Sequence, residues 1–181
     1  MAEIKSSIQI ALERAAALGA SDKDEERREE GRRQGKAWAR RAALGELAPS
    51  ELRGLVDQQA GAEAEGARAA AGETLLGEIA AGNRAAMAAL MALSAGTPAQ
   101  PPAMELARLL KAEEDVAVAV SRELAAEMLA QLAAEGISGP AVHPNPAAHP
   151  QLQARFAQAA AGLDAQRQAA TRALAKALAQ V

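Results

Sequence analysis

Ile4, Ile8, Leu12, Ala15 and Leu18 recur every three or four positions along the start of the chain. That period places them on one face of a helix, predicted over residues 2–18 and closed by Gly19 in a left-handed cap. Ser21 followed by Asp24 resembles a capping box with a shortened acid and opens a second, charged helix. In that helix Asp24 and Arg28, and Glu29 and Arg33, stand four apart, and the helix is expected to end near Gly45. Its apolar content is only Trp38, Leu44 and Leu47, and Gly31 and Gly35 each weaken it by up to ~1 kcal/mol relative to Ala. It is the helix expected to fray.

Pro49 interrupts the pattern, and Ser50-Glu51-Leu52-Arg53 begins a third helical stretch that could run to Ser94. At about 100° per residue Gly54, Gly61 and Gly72 fall near one line and Gly66 and Gly77 near another. Two readings stand side by side: small-residue stripes that let helices approach closely, or tolerated glycines in a weak helix. Leu75, Leu76, Ile79, Ala86, Leu90 and Leu93 give residues 73–94 the clearer apolar face.

Gly96-Thr97-Pro98-Ala99-Gln100-Pro101-Pro102 reads as a connector that cannot continue a helix. From residue 103 to 135, Leu106, Leu110, Ala117, Val120, Leu124, Met128 and Leu132 keep the helical period, and Gly136 supplies a stop. The alternating tract Val116-Ala117-Val118-Ala119-Val120 is strand-like taken alone, but helix formers flank it on both sides. Pro140, Pro144, Pro146 and Pro150 make residues 136–150 extended or polyproline-like. A last helix, residues 151–180, carries Leu152, Phe156, Ala160, Leu163, Ala170, Leu174 and Leu178 on one side, interrupted only by Arg167. The expected organisation is therefore 1–48, an amphipathic helix plus a charged and flexible one; 49–95, an Ala/Gly-rich helical segment; 96–102, a linker; and 103–181, a long helical hairpin with its loop at 136–150.

Composition sharpens this picture. Of 181 residues, 52 are Ala, so the 50% hydrophobic content overstates the apolar area that can be buried. Burial is worth roughly 25 cal/mol per Å², and a methyl group offers little area, so the core must be thin. An all-α chain is expected, an elongated helical bundle or long helical hairpin whose stripes close on each other or on a second copy. With one Phe, one Trp and no Tyr, stacking platforms and most ligand pockets are disfavoured. The absence of Cys removes disulfides, thiolate nucleophiles and Cys-ligated metals, and suits a cytoplasmic location. No signal peptide or membrane span is read.

Met1-Ala2-Glu3-Ile4-Lys5-Ser6, together with Gly136-Ile137-Ser138-Gly139-Pro140-Ala141-Val142-His143-Pro144-Asn145-Pro146, resembles parts of a small helical bacterial family of unknown function. The resemblance covers some twenty residues at two places in the sequence. It implies bacterial origin and an uncharacterised role, and it brings no catalytic or binding residue with it.

Candidate chemistry is sparse. Arg27, Arg28, Arg32, Arg33, Lys36, Arg40 and Arg41 face only Glu29 and Glu30 within residues 27–41, a local net charge of +5. Such a stretch could hold phosphates by counterion release, with Trp38 stacking on a base, or could be a solvated, salt-bridged helix face, since Asp22, Asp24, Glu25 and Glu26 lie just upstream. Gly31-Arg32-Arg33-Gln34-Gly35-Lys36-Ala37 lacks the spacing, the Ser or Thr and the preceding strand of a phosphate-binding loop. His143 and His149 share a loop without enough neighbouring ligands for a metal, and are read as exposed loop histidines. Neither they nor the helix acids Glu113, Glu114, Asp115, Glu123 and Glu127 present a catalytic arrangement. Met87, Met91, Met104 and Met128 are read as core filler.

The leading expectation is a non-enzymatic scaffold or adaptor acting through helix–helix contacts, with itself or another helical protein and without a cofactor. Its packing residues would be Leu106, Leu110, Val120, Leu124 and Met128 on one helix, and Phe156, Leu163, Leu174 and Leu178 on the other. A nucleic-acid or polyanion binder using the basic stretch is the alternative, and a lipid- or granule-surface binder a third.

Overall fold

A computed structural model describes residues 7–179, with side chains from residue 22 onward, and every regular element in it is a helix. In order these are α1 (Ser7–Ala43), α2 (Pro49–Asp57), α3 (Gly61–Ala80), α4 (Ala85–Ser94), α5 (Gln100–Ala134), a 3-10 turn (Pro146–Ala148) and α6 (Leu152–Leu178). The fold is all-α. The apolar stripe from Ile4 to Leu18 and the Met1 to Ser6 motif lie outside the residues whose side chains are described.

Several boundaries differ from expectation. Gly19 does not cap a helix, because α1 runs through it without a break. A glycine ends a helix where the following residues turn away, and here the next strong stop is forty-odd residues into the chain, at Gly45 and Pro49. The stretch from 49 to 94 is three helices. It breaks before Gly61 (φ 58°) and again at Gly82 (φ 91°). At Gly82 the amides of Gly82 and Asn83 donate to the carbonyls of Ile79 and Glu78 at 3.0 and 2.9 Å, satisfying the end of α3 with a left-handed residue that any side chain would strain. The connector expected over 96–102 is shorter, since α5 begins at Gln100. Pro101 and Pro102 sit in the first turn of α5, where a missing N–H costs nothing. The strand-like Val116 to Val120 tract is helical, and the loop after α5 is not wholly extended, since it holds the 3-10 turn. Asn145 opens that turn by accepting from the Ala147 amide at 3.2 Å.

The chain divides into two units. Met1–Ala103 and Leu174–Val181 form the first, in which α3 packs along α1 and α2 returns the chain between them. The pairing of Gly31 with Glu63 and of Gly35 with Ala67 advances four residues along each helix, so α1 and α3 run parallel. A Cβ on Gly35 would fall 2.8 Å from Ala67 Cα and closer still to its carbonyl oxygen. One on Gly66 would meet the Arg28 backbone, with Arg28 Cα at 3.2 Å. Backbone therefore lies on backbone here, an arrangement in which Cα–H groups point at carbonyls across the interface. Ala39, Ala42, Ala43, Ala67, Ala70 and Ala71 are buried beside the glycines. The segment expected to fray is thus a central packing surface, and the two glycines that weaken α1 locally are what admit α3. Leu52, Val56, Leu75 and Leu90 complete this core, fully buried.

Of the two predicted glycine stripes, only Gly66 and Gly72 make close contacts. Gly72 sits under Leu178, while Gly54, Gly61 and Gly77 face open space. Only Gly54 lies on another helix; Gly61 and Gly77 share α3 with Gly66 and Gly72 but stand toward its two ends, outside the close contacts.

Met104–Ala173 forms the second unit, an antiparallel hairpin of α5 and α6. Glu127 pairs with Arg155 and Glu113 with Arg167. Moving up α5 from Glu113 to Glu127 corresponds to moving back along α6 from Arg167 to Arg155, which fixes the antiparallel register. Val120, Leu124, Ala160 and Ala170 are buried on the stripes the sequence predicted.

Candidate functional site

The basic segment of α1 is largely occupied by its own acids. Arg28 donates to Glu25 at 2.9 Å and to Glu65 at 3.2 Å, and these bonds, Glu65 first, raise its pKa above the usual arginine value. Arg32 lies 3.8 Å from Glu29 and 3.5 Å from Glu73, Arg33 pairs with Glu30, and Arg41 stands 4.0 Å from Glu46. Among the described residues Arg27, Lys36 and Arg40 are exposed and make no ion pair, and Trp38 is half-buried. Gly31 and Gly35, compared above with a phosphate-binding loop, are buried inside a continuous helix, so their amides are spent on helical bonds.

Next to this segment Asp22, Glu25, Glu26, Glu29, Glu30 and Arg33 line an open groove of about 680 Å³ along one side of α1. Asp22 to Arg27 are all exposed, and six consecutive helical positions span more than a full turn. Water therefore surrounds α1 there. No group of three or more potential metal ligands occurs among the described residues. His143 is exposed, whereas half-buried His149 caps α6, its Nδ1 accepting from the Gln151 amide at 3.2 Å.

The predicted packing residues separate into three groups. Leu106, Val120 and Leu124 are buried in the hairpin; Leu110, Met128, Phe156 and Leu163 are only half-buried; and Leu174 and Leu178, expected to pack in the hairpin, are buried but belong to the first unit, where Leu178 lies over Gly72. Met104, read as core filler, is 53% exposed, and Met87 and Met91 are half-buried. Met104 lies well away from Leu124 on the α5 wheel, so membership of an apolar run did not place it inside.

The two sides of the hairpin differ in chemistry. One carries the bidentate pair in which Arg155 donates to both oxygens of Glu127, at 2.7 and 2.8 Å. Those bonds hold the Glu127 carboxyl below its usual range and raise Arg155. On the other side of α5, Val118 is 52% and Leu129 42% exposed, with half-buried Ala125 between them. At about 100° per residue, exposed Ala154, Ala157 and Ala161 of α6 project to the same side. The result is a low, apolar surface with small residues on one helix and Val and Leu on the other. The expected stripe of one residue per turn missed it, because α5 is apolar over more than one face. The signal was the second series, in which Val118 and Leu129 stand eleven apart.

No family model matches the chain, and neither the curated proteins nor the solved structures compared with it give a match. Among the described residues no helix is long and apolar enough to cross a membrane.

Proposed function

We propose that this chain is a helical interaction protein that works by self-association, and that its working surface is the side of the α5–α6 hairpin bearing Val118, Ala125 and Leu129. The observation that carries the reading is the exposure of Val118 and Leu129 on one face of a helix whose opposite face is already buried at Val120 and Leu124. A two-helix layer has no third element of its own to cover that side, and large exposed apolar residues in line mark contact surfaces. Flat Ala positions on α6 let another helix approach closely.

The polyanion reading has less to stand on. Four of the seven basic side chains it needs are engaged with carboxylates of the same unit. Phosphate binding there would have to break pairs already made.

The test compares the wild-type chain with Val118→Glu/Leu129→Glu. Light scattering across a concentration series should show the wild type associating and the variant monomeric, with the same helicity and, at dilutions where both are monomeric, the same thermal midpoint, because neither residue is in the core. Association unchanged in the variant would overturn the reading.

A further inference from the structure

We infer that two copies of this chain pair through α5 in antiparallel fashion, with the two-fold axis passing beside Val118. The inference rests on the self-association proposed above and specifies its geometry. A two-fold interface must present the same patch twice, each residue meeting its counterpart from the other end of the patch.

On one side of α5, Lys111, Val118, Arg122 and Leu129 are exposed, with half-buried Ala107, Glu114 and Ala125 among them. Counting outward from Val118, Glu114 and Arg122 are each four positions away, Lys111 and Ala125 seven, and Ala107 and Leu129 eleven. At about 100° per residue all of them fall within about 80° of one another. Any helix offers such paired positions, and a second α5 laid antiparallel over the first brings these into register together; what singles out Val118 as the centre is the residues that then meet.

The chemistry matches at each level. Val118 meets its own copy at the centre. Glu114 faces Arg122 of the other copy, and the axis repeats this pair. Arg122 is exposed and makes no ion pair among the described residues, so it is available. Lys111 covers Ala125 with its aliphatic stem, its ammonium already held by Asp115 at 3.1 Å and Glu114 at 3.4 Å. Leu129 fits over Ala107, a large residue against a small one. A parallel arrangement would instead set Glu114 on Glu114 and Arg122 on Arg122.

Two further features favour a second copy as the occupant. Residues 104–173 carry six basic and eight acidic side chains, so like charge does not keep hairpins apart. An eleven-residue repeat of about 3.67 residues per turn also keeps one stripe facing a partner along nearly straight helices.

The chain has no Cys, so single cysteines report the geometry directly. Under mild oxidation Val118→Cys should give a covalent dimer, and exposed Ala119→Cys, which points away from the stripe, should not. Lys111→Cys and Ala125→Cys should fail to cross-link alone and succeed when mixed. A parallel pair would cross-link each of those two to itself. Glu114→Arg or Arg122→Glu alone should weaken dimerisation about tenfold, through two lost pairs and two repulsions, and the double variant should restore it. A wild-type chain that associates while Val118→Cys stays unlinked, or while the double variant is as weak as the singles, overturns this geometry and leaves self-association standing. A wild-type chain that is monomeric throughout overturns both.

Discussion

Gly35 of α1 and Ala67 of α3 pass each other with no side chain between them: a methyl group on Gly35 would lie 2.8 Å from Ala67 Cα. Gly31 repeats the contact one turn earlier, against Glu63, and Gly66 of α3 lies against the Arg28 backbone of α1. Replacing Gly35 with Ala therefore sets two effects against each other. Helix propensity gains up to ~1 kcal/mol, but overpacking against backbone, which cannot rotate away, costs about 1–3 kcal/mol. Gly35→Ala should lower the thermal midpoint. Gly77→Ala and Gly162→Ala, helical sites with open space around them, should raise it. Calorimetry of the three variants checks the sign at each site.

Asn83 ties the α3–α4 corner to α1. Its side-chain amide donates to the Ala43 carbonyl at 2.9 Å, and its oxygen accepts from the Ala85 amide at 3.1 Å. Asn83→Ala should destabilise by about 1–2 kcal/mol in urea unfolding, because the end of α1 and the start of α4 both lose a partner. Asn83→Asp keeps only the acceptor and adds a negative charge beside Glu78, so it should be no better.

In the hairpin, Leu124 is fully buried. Leu124→Ala should cost about 2–5 kcal/mol, and Leu124→Asp should unfold the hairpin, with loss of far-UV helical signal. Full helicity in Leu124→Asp would place this residue outside the core.

The Glu127–Arg155 pair predicts a pH dependence. Hydrogen bonds from Arg155 keep the Glu127 carboxyl below its unfolded value. Its contribution is thus fully present above the unfolded carboxylate pKa of about 4.3 and is lost as pH falls through the lower folded value. The midpoint difference between wild type and Glu127→Gln should be constant near neutrality and shrink below about pH 4. Both side chains are partly exposed, so added salt should reduce the difference as well.

What the sequence conveys about this fold follows from what periodicity can carry. The all-α class and the hairpin stripes through Val120, Leu124 and Ala160 were legible, because a helical repeat survives whatever packs against it. The stops at Gly45 and Gly136 were legible from their left-handed caps. Gly31 and Gly35 were misjudged, since local propensity counts only what a glycine costs its own helix and is silent about a second helix lying on it. Gly19 was misjudged for the complementary reason: without a turn to serve, a glycine is tolerated inside a helix. In the basic segment, the salt-bridged helix face was legible from the acids of the preceding turn, but Glu65 and Glu73 of α3, which pair with Arg28 and Arg32, were not, since no linear pattern places them there. Val118 and Leu129 were hidden by the assumption that each helix has one apolar face.

The central claim is that the exposed side of the hairpin is covered by a second copy of the chain. Absolute mass by light scattering over a hundredfold dilution series tests it most directly. The account predicts a mass of twice 18.5 kDa at high concentration that falls toward 18.5 kDa on dilution. A mass of 18.5 kDa at every concentration would contradict it.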